Sequence, residues 1–294
     1  PDDWWAAIPL ALRELGRSVD LSLTRALAVD GTSGTILPVD ASNLPLAPAR
    51  MYDDADTGEH AARIKVLAPR ESAAHGASSP AARARDWVGL PGLHRIIHQA
   101  DWVNRQLGAT EYVTDENNAL KMGYDPVARA WPAWLREFGL DPALLPTVVP
   151  VGTPIGTLAA AAANALGLPA GIVLAAGTTD GCATFLASGA TEVGEGATAL
   201  GSTLVLKLLC DRPIFAPEYG LYSHRLGDRW LAGGASNCGG RTLAAFWDPA
   251  TLARLSATLD TTQPSGLDYY PLPAVGERFP VADPTLAPRL TPRP

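Results

Sequence analysis

The hydrophobic residues of this chain recur with two different periods, and these periods predict alternating helices and strands. Segment 3–15 places its apolar residues on one helical face, which Gly16 ends: Trp4, Trp5, Ile8, Leu12 and Leu15. Residues 171–177 form a continuous apolar run, which is typical of a strand covered on both faces of a parallel sheet. An Ala-rich helix over 157–168 precedes this run, and a helix over 182–189 follows it after a turn. This order favours an α/β fold.

The remaining pattern of the first half is less regular. Short apolar runs predict strands at 26–29 and 35–40. The apolar residues of segment 93–108 predict a helix: Leu93, Ile96, Ile97, Trp102 and Leu107. The polar segment 114–126 is expected to be a loop. Segment 70–85, rich in Ala, Ser, Gly and Pro, is expected to be a mobile surface segment.

After residue 189 the pattern changes to short strands. Residues 191–209 predict two strands around the turn Gly201-Ser202-Thr203, which is typical of a hairpin. Further strands are expected at 222–226 and 229–236, and a helix begins at the glycine pair Gly239-Gly240. We therefore expect a domain boundary near 190, which gives domains over 1–190 and 191–294.

Composition narrows the classes of protein that remain. The chain has 294 residues, of which 47% are hydrophobic, so it can bury the cores of two domains. The formal net charge is −7 and the basic residues are scattered, so nucleic acid is not an expected partner. No apolar run reaches membrane-spanning length, so a membrane is not expected either. Three cysteines far apart form no disulfide framework, which indicates the cytoplasm.

Asp180 is the strongest candidate for chemistry. It follows the apolar strand 171–177, and ligands of open α/β sheets bind beyond the carboxyl ends of the strands. A carboxylate there can accept a proton from a substrate hydroxyl. The alternative is that Asp180, Thr178 or Thr179 only caps the next helix. The sequence pattern leaves both interpretations open.

Two glycine-rich turns in the second half are candidates for binding phosphate. Backbone N–H groups and hydroxyls of Gly201, Ser202 and Thr203 can point at phosphate oxygens, although an ordinary hairpin turn explains the same residues. Segment 233–240, which ends in Gly239 and Gly240, suggests close approach of the backbone to a ligand or to another segment. A tight junction between a strand and a helix is the alternative there.

Polar clusters in the first half are candidates for binding a polyol. Asp30 opens the segment DGTSGT at a strand end, which is either a phosphate loop or a turn that lines a sugar pocket. The other clusters contain Met51, Tyr52 and Asp53, and Asp115 and Asn117. His94 and His98 are four residues apart on the predicted helix, but no third metal ligand is nearby, so this pair favours packing over metal binding.

Taken together, these segments resemble the FGGY carbohydrate kinase family. The segment from 176 to 209, with AGTTDGCATFLASG and GEGATALGSTLVLKLL, is similar to the family's centre. The segments HQADW, TDENNALKMGYDP, YSHRLGDRWLAGGASNCGG and LDYYPLPAVGERFP are similar to the plant and cyanobacterial D-ribulose kinase branch, some of whose members are described as xylulose kinase-like. The resemblance runs through nearly the whole chain.

The resemblance implies an α/β fold of two actin-like ATPase (ribonuclease H-like) domains around an interdomain cleft, with the sugar bound by the first domain. It implies that ATP and Mg²⁺ are cofactors, that Asp180 is the catalytic base, and that the turn Gly201–Thr203, together with Gly239 and Gly240, binds ATP phosphates. Asp30, Met51, Tyr52, Asp53, Asp115 and Asn117 are the expected sugar-binding residues. The expected partners are a small sugar, ATP and a second copy in a homodimer, in the cytoplasm or in a plastid.

Two elements of the family have no counterpart in this chain. These are the N-terminal strands with their Asp-x-Gly-Thr phosphate loop, which is not the segment DGTSGT, and the C-terminal glycine-rich adenosine motif. The chain also begins with Pro1 and ends in the Pro-rich stretch 285–294. We therefore expect both domains to be incomplete and this chain alone to be inactive. The alternatives are a kinase of xylulose or another polyol, and a non-catalytic sugar-binding protein on the same scaffold.

Overall fold

Two compact units divide the chain in the computed structural model, which describes residues 1–54, 58–75, 79–260 and 262–291. The first unit comprises Pro1–Ala183 with His224–Gly227, and the second comprises Thr184–Ser223 with Asp228–Pro294. The assignment of a sugar-binding domain to 1–190 and of a nucleotide-binding domain to 191–294 stays a prediction.

Helices and short strands alternate through the first unit, and antiparallel strands dominate the second. The helices are α1 (Asp2–Leu15), α2 (Gly58–Leu67), α3 (Pro80–Ala84), α4 (Gln99–Leu107), α5 (Glu116–Leu120), α6 (Trp134–Phe138), α7 (Ala160–Leu166), α8 (Asp180–Leu186), α9 (Gly240–Ala244) and α10 (Pro249–Ser256). The strands are β1 (Ala26–Gly31), β2 (Ile36–Val39), β3 (Arg95–His98), β4 (Val113–Asp115), β5 (Thr147–Val149), β6 (Pro154–Thr157), β7 (Val173–Thr179), β8 (Gly196–Leu200), β9 (Leu204–Cys210), β10 (Tyr222–Leu226) and β11 (Arg229–Ser236).

The sheet that positions the candidate site has the strand order β1-β7-β6. Strands β1 and β7 are parallel, with Ala26 opposite Val173 and Gly31 opposite Thr179, whereas β6 is antiparallel to β7. Because β1 and β7 run side by side in the same direction, their carboxyl ends meet at one edge of the sheet. This register brings Asp30 of β1 next to the residues that precede Asp180.

An apolar core covers this sheet and explains the predicted helices. The apolar face of α1 packs through Trp4, Trp5, Ile8 and Leu12 against buried residues of α4 and α7. The Trp4 and Trp102 rings meet edge to face with centroids 6.0 Å apart. Helix α7 ends at Gly167, which adopts the left-handed conformation that favours glycine. The predicted helices over 3–15 and 157–168 and the buried strand are confirmed.

The predicted helix over 93–108 is wrong in its first half. Residues Arg95–His98 form β3, which pairs antiparallel with β2 so that Ile96 lies opposite Pro38, and the helix begins only at Gln99. Ile96 and Ile97 are both fully buried, because the two faces of this strand pack into different cores. His94 and His98 are therefore not one helical turn apart. His98 lies in the interior, with Nδ1 3.0 Å from Asp101 and 3.1 Å from the Thr114 hydroxyl.

Two predicted loops are also ordered elements. Segment 114–126 contains the end of β4 and the helix α5, and its polar residues at 115–118 are buried. In segment 70–85, residues Pro80–Ala84 form the buried helix α3, with Ser79 as its N-cap. Residues 76–78 of that predicted mobile segment lie outside the described residues. Arg83 of α3 is completely buried, although its sequence context is polar and small.

Strands β8, β9 and β11 of the second unit belong to a sheet with the strand order β10-β11-β9-β8, and strand β10 runs across the unit boundary between Ser223 and His224. Strands β8 and β9 form the predicted hairpin, with Leu200 opposite Leu204, and β11 pairs antiparallel with β9. Cys210, Trp230 and Ala232 form a small buried cluster on this sheet. The Pro-rich stretch 285–294 is described as far as residue 291, and residues 292–294 lie outside the described residues.

Candidate active site

Two exposed carboxylates stand at the carboxyl ends of the parallel strands β1 and β7. Asp30 is exposed at the end of β1, and its Oδ1 accepts a hydrogen bond from the Thr178 N–H over 3.0 Å. Asp180 is exposed at the first position of α8, directly after β7. Ligands bind at this edge of open α/β sheets, so both side chains occupy the place where a substrate hydroxyl would be recognised.

Gly177 allows the two strand ends to approach this closely. A Cβ atom at this position would overlap the Val29 carbonyl and would lie 3.0 Å from Asp30 Oδ1. Any larger residue would therefore push β7 away from Asp30 and move the start of α8. The glycine in the segment AAGTTD is thus explained by packing between strands.

Asn117 and Asn118 of α5 hold the end of β7 in place by hydrogen bonds. Asn117 Nδ2 donates to the Thr178 hydroxyl at 2.9 Å, and Asn118 Nδ2 donates to the Thr178 carbonyl at 3.1 Å. The Asn117 amide also exchanges two hydrogen bonds of 2.9 Å with the backbone of Arg225, which belongs to the first unit. Both asparagines are 1% exposed. Thr178 is thereby held on both its side chain and its backbone, two residues before Asp180.

Asp115 holds these two asparagines in place. As the N-cap of α5 it accepts from the N–H groups of Asn117 at 2.8 Å and Asn118 at 3.0 Å, and from Asn118 Nδ2 at 2.6 Å. It is only 3% exposed. Asp115 and Asn117 thus lie behind the strand end, and their predicted role as sugar ligands stays a prediction. Asn118 was not identified from the sequence, since one asparagine beside another has no distinguishing pattern.

The ionisation of Asp115 is expected to give the protein a distinct pH dependence of stability. Burial raises the pKa of this carboxyl to about 6, and the charge of Asp101 adds to the increase. The hydrogen bonds from Asn118 act in the opposite direction. The folded chain therefore binds a proton more tightly than the unfolded chain. The free energy of unfolding should fall by up to about 3 kcal/mol as pH rises from about 4 to about 6.

Urea unfolding of the wild type and of Asp115→Asn between pH 4 and pH 7 measures this contribution. Carboxyl groups remote from Asp115 titrate equally in both proteins, so the difference between their curves isolates this site. The difference should change across this window and become constant above it. Two parallel curves would contradict the expected contribution.

Arg83 joins the loop after Asp30 to the loop that carries Met51, Tyr52 and Asp53. Its guanidinium donates to the Gly34 carbonyl at 2.7 Å and also to the Met51 carbonyl. Tyr52 and Asp53 are exposed beside this anchor. These candidate sugar-binding residues of the first unit are thus connected through one buried arginine, which the sequence did not indicate. Residues 55–57, which follow this loop, lie outside the described residues.

Two hydroxyls in the loop after Asp30 are candidates for binding a polar ligand. Ser33 Oγ and Thr35 Oγ1 are buried and have no hydrogen-bond partner among the described residues. The Thr32 N–H is held by Gln99 Oε1 at 3.0 Å. Buried polar atoms are normally paired, so both hydroxyls require a partner that the described residues do not supply.

The two glycine turns of the second unit, which the sequence suggested separately, lie against each other. The Gly240 N–H donates to the Gly201 carbonyl at 2.7 Å, and the Leu204 N–H donates to the Cys238 carbonyl at 2.6 Å. A Cβ atom at Gly239 would lie 2.5 Å from the Ser202 carbonyl oxygen. We call Gly201–Thr203 and Gly239–Gly240 together the paired glycine turns. Among the described residues, the N–H groups of Ser202 and Thr203 donate to no backbone carbonyl, so they remain available to an anion.

The described residues contain no group of three or more His, Cys, Asp or Glu side chains that could hold a metal ion. Among the helices they form, none combines the length and the apolar composition that crossing a bilayer requires.

No protein-family model matches the sequence. Solved structures do match the fold. A xylulose kinase from Rhodospirillum rubrum is 22% identical with a TM-score of 0.74, covering 87% of this chain and 57% of that protein. A gluconate kinase from Lactobacillus acidophilus is 16% identical with a TM-score of 0.77, covering 95% of this chain and 60% of that one. A glycerol kinase from Plasmodium falciparum, solved with ADP, is 13% identical with a TM-score of 0.71. The match covers 86% of this chain and 56% of that protein.

These similarities establish the fold. The chain has the α/β, actin-like ATPase fold of these carbohydrate kinases, as the resemblance implied. It spans less than two thirds of the length of these structures, between 56% and 60%. The branch of plant and cyanobacterial D-ribulose kinases is not represented among the matches described above.

Proposed function

We propose that this protein is an ATP-dependent carbohydrate kinase that transfers the γ-phosphoryl group to a hydroxyl of a ketopentose. The observation that carries the proposal is the pair of exposed carboxylates, Asp30 and Asp180, at the carboxyl ends of adjacent parallel strands. The shared fold of xylulose, gluconate and glycerol kinases supports it. D-ribulose is the favoured substrate because of the sequence resemblance to the D-ribulose kinase branch.

Asp180 has the position that a general base requires. It is exposed at a strand end, and the bonds from Asn117 and Asn118 to Thr178 fix the backbone that leads to it. In this proposal Asp180 orients the sugar hydroxyl and accepts its proton as the oxygen attacks phosphorus. Asp30 and the hydroxyl of the half-buried Ser33 bind other hydroxyls of the sugar. Met51, Tyr52 and Asp53, whose loop is anchored by Arg83, are the remaining sugar-binding residues of this proposal.

The residues of the second unit fit the phosphates of ATP. The paired glycine turns present the N–H groups of Ser202 and Thr203 together with their hydroxyls, and such groups bind phosphate oxygens. Mg²⁺ is commonly held by one or two carboxylates together with substrate phosphates, so the exposed strand-end carboxylates fit it. When bound, ATP supplies the phosphoryl group and Mg²⁺ neutralises its charge. A homodimer and a cytoplasmic or plastid location stay predictions.

A coupled ADP-release assay of the complete gene product tests the proposal. The substrates to compare are D-ribulose, D-xylulose, ribitol and glycerol. D-ribulose should give the highest kcat/KM, and a preference for D-xylulose would support the alternative that the xylulose kinase structures suggest. The Asp180→Asn protein, purified in the same way, controls for contaminating kinases. Release of ADP at the rate of this control with every sugar would contradict the proposed function.

A further inference from the structure

A buried glutamate lies behind the paired glycine turns. Glu277 is 5% exposed, and its Oε2 accepts hydrogen bonds from the Ser236 hydroxyl at 2.5 Å and the Tyr270 hydroxyl at 3.0 Å. Its Oε1 accepts from the N–H groups of Asn237 at 2.7 Å and Arg278 at 2.8 Å. Four short hydrogen bonds thus converge on one carboxylate in the interior of the second unit.

These bonds continue directly into the paired glycine turns. Ser236 ends β11, and its Oγ accepts from the Cys238 N–H at 3.0 Å. The Cys238 carbonyl then accepts from the Leu204 N–H at 2.6 Å. Gly239 follows and is packed against the Ser202 carbonyl. An unbroken set of contacts therefore leads from the carboxylate of Glu277 to both turns.

The segment around Glu277 is itself fixed against β11. The ring of Phe279 lies so close to Gly234 that a Cβ atom there would be 2.5 Å from it. Asn237 Nδ2 donates to the Gly276 carbonyl at 3.0 Å. The residues on both sides of Glu277 thus contact β11 or the residue that follows it. Glu277 can therefore restrain the backbone after Ser236.

The carboxylate is held in its charged form. Burial alone would raise the pKa of Glu277, but the hydrogen bonds from Asn237, Ser236, Arg278 and Tyr270 outweigh it and hold the pKa below its usual value. Burial, the hydrogen bond to Glu277 and the charge of Glu277 raise the pKa of Tyr270 to about 12. Hydrogen bonds to a charged acceptor are stronger than neutral ones, which suits a group that must fix a turn.

We propose that Glu277 is a positioning residue that fixes the paired glycine turns in the geometry required to bind phosphate. It does not touch the ligand in this proposal, because both of its carboxylate oxygens are engaged in the interior and two residues, Asn237 and Cys238, separate Ser236 from the glycine pair. The proposal depends on the proposed function only in naming ATP as the ligand. Its structural part concerns the two turns alone and can be tested without a nucleotide.

The variants Glu277→Gln and Glu277→Ala test this role in the full chain. An amide oxygen can still accept from the backbone N–H groups, whereas the amide nitrogen cannot accept from the Ser236 and Tyr270 hydroxyls. Amide-resolved hydrogen exchange should accelerate at Gly240 and Leu204 by about tenfold in Glu277→Gln and by more in Glu277→Ala. The Gly194 amide, bonded to the Leu209 carbonyl at the other end of the hairpin, should not change.

Titration with ATP gives the second readout. The Kd for ATP should rise at least about tenfold in Glu277→Gln, while the Kd for the sugar stays within about twofold of wild type. Leu231→Ala is the control for general destabilisation, because Leu231 is completely buried in β11. It should lower the melting temperature without changing the Kd for ATP.

The two readouts separate this proposal from the proposed function. Wild-type exchange at Gly240 and Leu204 in Glu277→Gln would overturn the positioning role, whatever the ATP titration shows. Accelerated exchange in a complete gene product whose wild type binds no ATP would support the positioning of the turns and would overturn the kinase function. If Glu277→Ala does not fold, Glu277→Gln alone decides.

Discussion

Replacement of Asp180 by asparagine should reduce kcat by about 10²–10⁴-fold and leave sugar affinity within about twofold of wild type. Asparagine preserves the shape of the side chain and its hydrogen bonding to a hydroxyl, but it cannot accept the proton. The bonds of Asn117 and Asn118 go to Thr178 and not to position 180, so the substitution leaves these bonds in place. Measurement of kcat by ADP release and of sugar Kd by calorimetry tests both parts.

Asp211→Asn is a matched control for this substitution. Asp211 is an exposed aspartate directly after strand β9, so it shares the exposure and the strand-end location of Asp180 but has no proposed role. Its kcat should equal that of the wild type. Retention of more than about a tenth of wild-type kcat by a folded Asp180→Asn protein would show that Asp180 is not the base.

Replacement of Gly239 by alanine should raise the Kd for ATP at least about tenfold. The added methyl would lie 2.5 Å from the Ser202 carbonyl oxygen and 2.6 Å from Thr203 Cα. Both are backbone atoms, so the conflict can be relieved only by separating the two turns. Separation would break the 2.7 Å bond between the Gly240 N–H and the Gly201 carbonyl. Calorimetric titration with ATP measures the effect.

The neighbouring substitution Cys238→Ala provides the comparison. It removes a partly buried thiol from the same turn and adds no atom that the turns must accommodate. Its Kd for ATP should remain within about twofold of wild type. A folded Gly239→Ala protein that binds ATP as tightly as Cys238→Ala would exclude the paired glycine turns as the phosphate site.

The sequence predicts those parts of the fold in which one face is apolar and the other is polar. Helix α1 and the hairpin of β8 and β9 belong to this class, because the spacing of apolar residues within each element indicates which of its faces is apolar. Strand β3 does not, since Ile96 and Ile97 are neighbours and both completely buried. Two adjacent apolar residues also occur on a helix, so periodicity does not distinguish the two structures. Only the pairing with β2 shows that this segment is a strand and not part of the helix.

Residues of the candidate site were likewise identified from the sequence only where the local pattern was strong. Asp180 and Gly201–Thr203 were identified because each follows or interrupts a strong local pattern. Arg83, Asn118 and Glu277 were missed, because each has a partner far away in the sequence: Arg83 bonds to Gly34, Asn118 to Thr178, and Glu277 to Ser236. A polar residue that is buried by long-range contacts has the same local pattern as an exposed one. The predicted loop at 114–126 was wrong for this reason.

The contacts of Arg83 bear on how substrate preference could diverge in this scaffold. Its guanidinium donates to the main-chain carbonyls of Gly34 and Met51, and these two bonds do not depend on which side chains stand at positions 52 and 53. Selection can therefore replace those exposed side chains while the loop backbones stay in place. A combinatorial library at Ser33, Tyr52 and Asp53 would then change sugar preference at little cost in folding, and the same library built on an Arg83→Met background would yield mostly unfolded members.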